Sequence, residues 1–86
     1  MGSIRFKGVR FAVFPNDHPP RHVHGSYAEV VVVVDLLADG GVKVAKRANA
    51  IRPGNASEAD IRHVLSVTAK HFNELVALWE KHHGTA

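Results

Sequence analysis

The chain has 86 residues, a formal net charge of +3 and no cysteine. This length predicts one domain near the lower limit for a self-sufficient hydrophobic core. Without thiols, disulfides, zinc–thiolate sites and thiol catalysis are excluded, so a metal would need His nitrogens and carboxylate oxygens. The scattered basic residues permit contact with nucleic acid but do not require it. With no signal-peptide pattern and no apolar run long enough for a bilayer, a cytoplasmic location without membrane contact is expected.

The first half of the chain is predicted to form strands, within residues 4–14, 22–37 and 42–50. Residues 4–14 alternate apolar and polar side chains, which indicates a hairpin or one bent strand with Gly8 as a turn or bulge. Three prolines then impose a loop over residues 15–20. The turn signal at 38–41 joins 27–37 to 42–48 as a second hairpin.

The second half is predicted to be helical. Ser57 and Asp60 have the spacing of a capping box, and apolar side chains then recur every three or four residues up to Trp79. No Gly or Pro interrupts this pattern before Gly84. The sequence therefore predicts one long helix over about 57–83, roughly 40 Å in length.

These elements predict an α+β fold, with a three- to four-stranded antiparallel sheet and one long C-terminal helix packed on one face. A single helix leaves the second face of the sheet open. Apolar side chains with a charged rim on such a face are typical of an interface, so a homodimer or a protein partner is expected. The interface residues predicted on this face are Phe14, Val31 and Val33.

The segment NDHPPRHVHG, residues 16–25, concentrates three of the seven histidines. His22 and His24 are two residues apart, so on an extended strand both imidazoles point to the same side. Such a pair can bind one divalent transition metal such as zinc, with Asp17 or His18 as a third ligand and one position left for water. A strand unbroken from His22 to Val34 would place both imidazoles on the core side, with Val30. A bulge at Gly25 would turn them to the open face.

Two other interpretations of the same segment remain open. Since histidine takes and gives a proton near neutral pH, His22 or His24 could act as acid–base groups, with Arg21 contacting a phosphate in a nuclease-like reaction. Alternatively the segment is only a loop, in which an Asp accepts backbone hydrogen bonds and prolines fix the chain.

The segments FAVFPNDHPPRHVHG and LVALWEKHHG resemble a small bacterial family known as domain of unknown function 4160. The resemblance spans essentially the whole chain, and this sequence departs from the pattern at Arg21 and Gly25. It implies a compact α+β domain and, from the gene arrangements of the family, one member of a toxin–antitoxin-like pair. The expected function is that of a metal-binding or partner-binding module. A nuclease-like toxin component and a purely structural interaction module are the alternatives.

Overall fold

The computed structural model describes residues 2–83. This part of the chain forms a six-stranded antiparallel sheet and two helices, which confirms the α+β class. The strand count is higher than the predicted three to four. The strands are β1 (Gly2–Phe6), β2 (Val9–Val13), β3 (His22–Tyr27), β4 (Val30–Leu36), β5 (Val42–Val44) and β6 (Ile51–Arg52), and the helices are α1 (Glu58–Lys70) and α2 (Phe72–His83).

The alternation over residues 4–14 forms a hairpin rather than one bent strand. Phe6 pairs with Val9, and the two residues between them, Lys7 and Gly8, have φ angles of 50° and 78°. Positive φ at both central residues matches the right-handed twist of the flanking strands. The hairpin directs Phe6 and Phe11 toward the helices.

The predicted strand region 22–37 is divided by a turn at Ala28 and Glu29. Tyr27 pairs with Val30, and Ala28 has a φ of 53°. The register of β3 against β4 then places His24 opposite Val33. Both predictions for this region, an unbroken strand from His22 to Val34 and a bulge at Gly25, are therefore wrong. The chain folds back because pairing β3 with β4 satisfies the backbone groups of both strands.

The strands lie in the order β1-β2-β3-β4-β5, and β6 pairs with the same edge of β4 that β5 occupies. The predicted second hairpin is present as β4 and β5. Between β5 and β6, residues 46–49 loop away from the edge. Val33 closes this loop, since its N–H donates to the Ala50 carbonyl at 2.7 Å and its carbonyl accepts from the Ala45 N–H at 2.9 Å.

The predicted single helix is two helices with a break at His71. Ser57 caps α1 as expected, with its hydroxyl accepting from the Asp60 N–H at 3.2 Å. At His71, φ is −113° and ψ is 28°, outside the helical region. Its ring stacks on Phe6 with a centroid distance of 3.7 Å. The break lets α1 pack on β3, β4 and β5 while α2 packs on β1, β2 and β3 of a twisted sheet.

Both helices cover the same face of the sheet, where the main core is formed. The buried members of this core include Phe11, Val32, Val64, Leu75 and Trp79. The second face was predicted to be open, but Val33, Ala45 and Ala50 form a small buried cluster there. Neither α1 nor α2 is long and apolar enough to span a bilayer.

A candidate metal centre at the end of the sheet

The loop after β2 directs the Asp17 carboxylate back toward the sheet. The Asp17 N–H donates to the Phe14 carbonyl at 3.0 Å, and the Phe14 N–H donates to Asp17 Oδ2 at 2.9 Å. Pro15 occupies the second position of this four-residue turn, where its fixed φ is favourable. The predicted structural role of Asp17, as an acceptor of backbone hydrogen bonds, is therefore present.

His24 extends from the middle of β3 on the face opposite the helices. Its Nε2 lies 3.3 Å from Asp17 Oδ1 and 3.2 Å from Asp17 Oδ2. The edge of its ring meets Phe14, with centroids 4.8 Å apart and planes at 73°. The His24 side chain is 20% exposed, so solvent reaches the group from this side.

His22 is the buried member of the group, with 1% of its surface exposed. Its Nδ1 lies 2.9 Å from the Pro20 carbonyl oxygen, and since a carbonyl only accepts, Nδ1 carries the hydrogen. Its Nε2 lies 3.4 Å from Asp17 Oδ1 but is fully buried without a hydrogen-bond partner among residues 2–83. The ring lies between His24 and Trp79, at centroid distances of 5.3 and 5.1 Å.

The surroundings lower the pKa values of both Asp17 and His24, for different reasons. Burial by itself would raise the pKa of Asp17, but the hydrogen bonds from the Phe14 N–H and from His24 outweigh it, so the pKa is lowered. Burial lowers the pKa of His24, and the attraction of Asp17 offsets this only in part, while Arg47 adds a further repulsion. Asp17 is thus kept charged, and His24 tends to keep a free ring nitrogen near neutral pH.

The Asp17, His22 and His24 side chains offer three ligand atoms that all lie within 4.8 Å of one another. Metal–ligand bonds of about 2.0–2.1 Å in tetrahedral geometry imply ligand-to-ligand distances of roughly 3.3 Å. Asp17 Oδ1 lies 3.4 Å from His22 Nε2 and 3.3 Å from His24 Nε2, close to that value, and the two imidazole nitrogens lie within 4.8 Å of each other. The geometry is therefore compatible with one small cation shared by the three side chains.

The other predicted site residues lie apart from this group. His18 is exposed and is not one of the three ligating side chains. Arg21 directs its guanidinium away from the imidazoles, donating to the Leu36 and Leu37 carbonyls at 3.4 and 3.2 Å. It also lies over the Phe72 ring at 5.9 Å. The donors predicted to contact a phosphate are thus directed at backbone oxygens.

The predicted interface residues differ in accessibility. Phe14 and Val31 are half-buried, and Val33 is 6% exposed. Sequence reasoning also missed two contributors to the site. The Pro20 carbonyl orients His22, and Arg47 comes near His24 because Val33 closes the loop 46–49 beside it. Neither is readable from a local pattern, since both depend on how distant segments pair.

The fold and this group together define a small α+β protein that carries two histidines and one carboxylate at the end of an antiparallel sheet. The chain belongs to the family described as domain of unknown function (DUF4160), whose family model matches residues 8–80. The matched range includes Asp17, His22, His24 and Trp79. No curated protein and no solved structure is significantly similar to the chain.

Proposed function

We propose that the protein binds one divalent transition-metal ion through an Asp17 carboxylate oxygen and the Nε2 atoms of His22 and His24. The observation that carries this proposal is the buried His22 Nε2. Since Nδ1–H is committed to the Pro20 carbonyl, Nε2 of the neutral ring presents a lone pair. That lone pair faces the Asp17 carboxylate at 3.4 Å, away from water.

Two electron-rich atoms in a buried contact repel each other unless a proton or a metal ion lies between them. A bound metal ion would supply that positive charge and give Nε2 a partner. The His22–Pro20 hydrogen bond is also the kind of outer contact that fixes the tautomer and ring orientation of a metal-binding histidine. This arrangement supports the metal interpretation beyond the spacing of the histidines alone.

The ligand types favour zinc, iron, nickel or cobalt rather than magnesium or calcium. Imidazole nitrogen suits the former ions, whereas the latter prefer oxygen ligands throughout. Three protein ligands leave at least one position for water or another small ligand. The partial exposure of His24 and Asp17, at 20% and 12%, supports access to that position.

Acid–base chemistry without a metal has less support. A general acid or base must come within hydrogen-bond reach of its substrate, and His22 is buried. Arg21, the predicted phosphate contact of a nuclease, donates from Nε and Nη2 to the carbonyls of residues 36 and 37. The toxin–antitoxin-like pairing, the homodimer and the cytoplasmic location stay predictions.

The test consists of two titrations of the metal-free protein. Zn²⁺ binding is measured by calorimetry, and Co²⁺ binding is measured by the fluorescence of Trp79. Trp79 is the one tryptophan of the chain and its ring lies 5.1 Å from the His22 ring. We expect one ion per chain and quenching of Trp79 by Co²⁺ that Zn²⁺ reverses. His24→Gln removes one ligand and should weaken binding at least tenfold.

His18→Gln is the matched control, because His18 lies in the same segment but outside the ligand group. It should leave the zinc affinity within about twofold of the wild type. The proposal is wrong if His18→Gln and His24→Gln weaken binding equally. It is also wrong if Co²⁺ binds without changing Trp79 fluorescence.

A further inference from the structure

A second polar site lies beyond the metal-ligand group, around Asp35 near the end of β4. Asp35 is directly opposite His22 on one neighbouring strand and opposite Lys43 on the other. Only 8% of its surface is exposed. Among residues 2–83 its carboxylate takes part in no side-chain hydrogen bond or ion pair, although its oxygens are not sealed from solvent as His22 Nε2 is. Burying a carboxylate without a partner is costly, so this group calls for one.

Asp35 lines a pocket of about 520 Å³. This is within the usual range for small-molecule sites. Its walls are mostly apolar and come from Pro19 and Pro20 on one side and from the chain at Leu36 and Leu37 on the other. Asp35 is the acidic residue of this lining, and Arg21 and Lys43 are the basic ones. A mostly apolar pocket with an unpaired carboxylate suits a ligand with an apolar body and one positive charge.

The two basic residues on this pocket do not neutralise Asp35. The Arg21 guanidinium is directed at the Leu36 and Leu37 carbonyls. Lys43 is exposed, and although it lies across from Asp35 on β5 the two side chains do not form an ion pair. Arg21 is thus held by backbone carbonyls and Lys43 is exposed, which leaves the buried Asp35 as a charge of the pocket that neither of them pairs with.

We infer that this pocket binds an alkyl chain that ends in an ammonium or guanidinium group, with the cationic head on the Asp35 carboxylate. The Pro19–Pro20 and Leu36–Leu37 walls would cover the methylene groups. A guanidinium can donate two parallel hydrogen bonds to a carboxylate, which makes it the better of the two heads. Such a ligand is either a free alkylamine or alkylguanidine, or the Arg or Lys side chain of a protein segment.

The test uses butylguanidinium as the probe and butylurea as its neutral counterpart of similar shape. Binding of each is measured by the backbone amide shifts in NMR spectra. Butylguanidinium should shift the amides of residues 35–38 and saturate, and butylurea should bind at least tenfold more weakly. Asp35→Asn should lower the butylguanidinium affinity at least tenfold. The amide spectrum of each variant reports whether it is folded.

Lys43→Met is the matched control, since it changes a neighbouring pocket residue without removing the carboxylate. It should leave the butylguanidinium affinity unchanged or raise it, because a competing cation is lost. An acetylated and amidated Gly-Arg-Gly peptide distinguishes the sources. Binding as tight as butylguanidinium indicates a protein side chain, and binding at least tenfold weaker indicates a free small molecule.

Three outcomes would overturn the inference. The first is that no backbone amide shifts with butylguanidinium at concentrations up to about 20 mM. The second is equal affinity for butylguanidinium and butylurea. The third is an equal loss of butylguanidinium affinity in Asp35→Asn and Lys43→Met. These experiments are run in the presence of a chelator. The result is thus independent of whether Asp17, His22 and His24 bind a metal.

Discussion

At the residue scale, Gly25 is a position where α1 approaches the sheet closely. A Cβ at this position would lie 2.8 Å from Val64 Cγ1 and 3.2 Å from Phe11 Cε1. Gly25 pairs regularly with Phe11 and Val32, so the glycine serves close packing rather than a bulge. This explains why glycine occupies position 25, beside His24, where a central strand usually has a larger apolar residue.

We predict that Gly25→Ala destabilises the protein by about 1–3 kcal/mol, because the added methyl group forces Val64 and Phe11 to move. The measurement is the free energy of unfolding in urea. Gly54→Ala is the control, since a Cβ there meets nothing within 4 Å. Equal stability of the two variants would contradict the close contact between β3 and α1.

The same scale distinguishes the three histidines of the NDHPPRHVHG segment. His22 is fixed by the Pro20 carbonyl and buried, His24 is half-buried against Phe14, and His18 is exposed. The sequence treats all three as candidate ligands, because residue type and spacing do not reveal burial. The backbone contacts of the loop are what make them different.

At the scale of elements, the break between α1 and α2 is maintained by contacts of His71. Its ring stacks on Phe6 of β1, and its Nδ1 lies 3.2 Å from Glu74 Oε2 in the first turn of α2. The His71 N–H still bonds to Val67, and the Leu75 N–H bonds to His71. The hydrogen bonds therefore continue across the junction, and His71 is the one residue between the two helices.

We predict that Glu74 titrates below its ordinary pKa of 4.5, because the hydrogen bond from His71 stabilises the carboxylate. A lowered pKa in the folded state means that the contact contributes stability above the ordinary pKa. That contribution is lost as the pH falls through the lowered value. The measurement is the carboxyl carbon shift of Glu74 against pH.

His71→Phe provides the comparison, since a phenyl ring keeps the stack on Phe6 but cannot donate a hydrogen bond. In this variant the midpoint of Glu74 should return toward 4.5. The remaining carboxylates should titrate alike in both proteins. An unchanged Glu74 midpoint would assign its shift to the helix N-terminus instead of His71.

At the scale of the whole molecule, the metal-ligand group and its neighbours come from different elements of the fold. Asp17 comes from the loop after β2, the two histidines come from β3, and Trp79 of α2 packs against His22. A metal bound there would couple the sheet, the loop and α2. Binding only the folded state stabilises it by RT ln(1 + [L]/Kd).

We therefore predict that Zn²⁺ at one hundred times its Kd raises the free energy of unfolding by about 2.7 kcal/mol. For a chain of this size the Tm should rise by roughly 10–20 °C, measured by circular dichroism, and EDTA should reverse the change. His24→Gln at the same zinc concentration should show a much smaller rise. An equal rise in that variant would place the bound metal elsewhere.

The sequence by itself determined the features that depend on local patterns. These are the strand periodicity of residues 4–14, the hairpin that joins 27–37 to 42–48, the Ser57 cap and the helical stripe up to Trp79. It also determined that His22 and His24 share one side of a strand, because side chains alternate with a period of two. Each of these follows from neighbouring residues alone.

Only the tertiary structure decided where the chain turns and which side chains meet. Ala28 and Glu29 are not residue types that favour turns. The turn forms there because β3 and β4 pair over their whole length. His71 breaks the helix where Phe6 and the twist of the sheet require it. Asp17 becomes the third member of the histidine group, in place of His18, because its turn aims the carboxylate back at β3. These features depend on strand pairing and burial between distant parts of the chain, so local sequence patterns do not predict them.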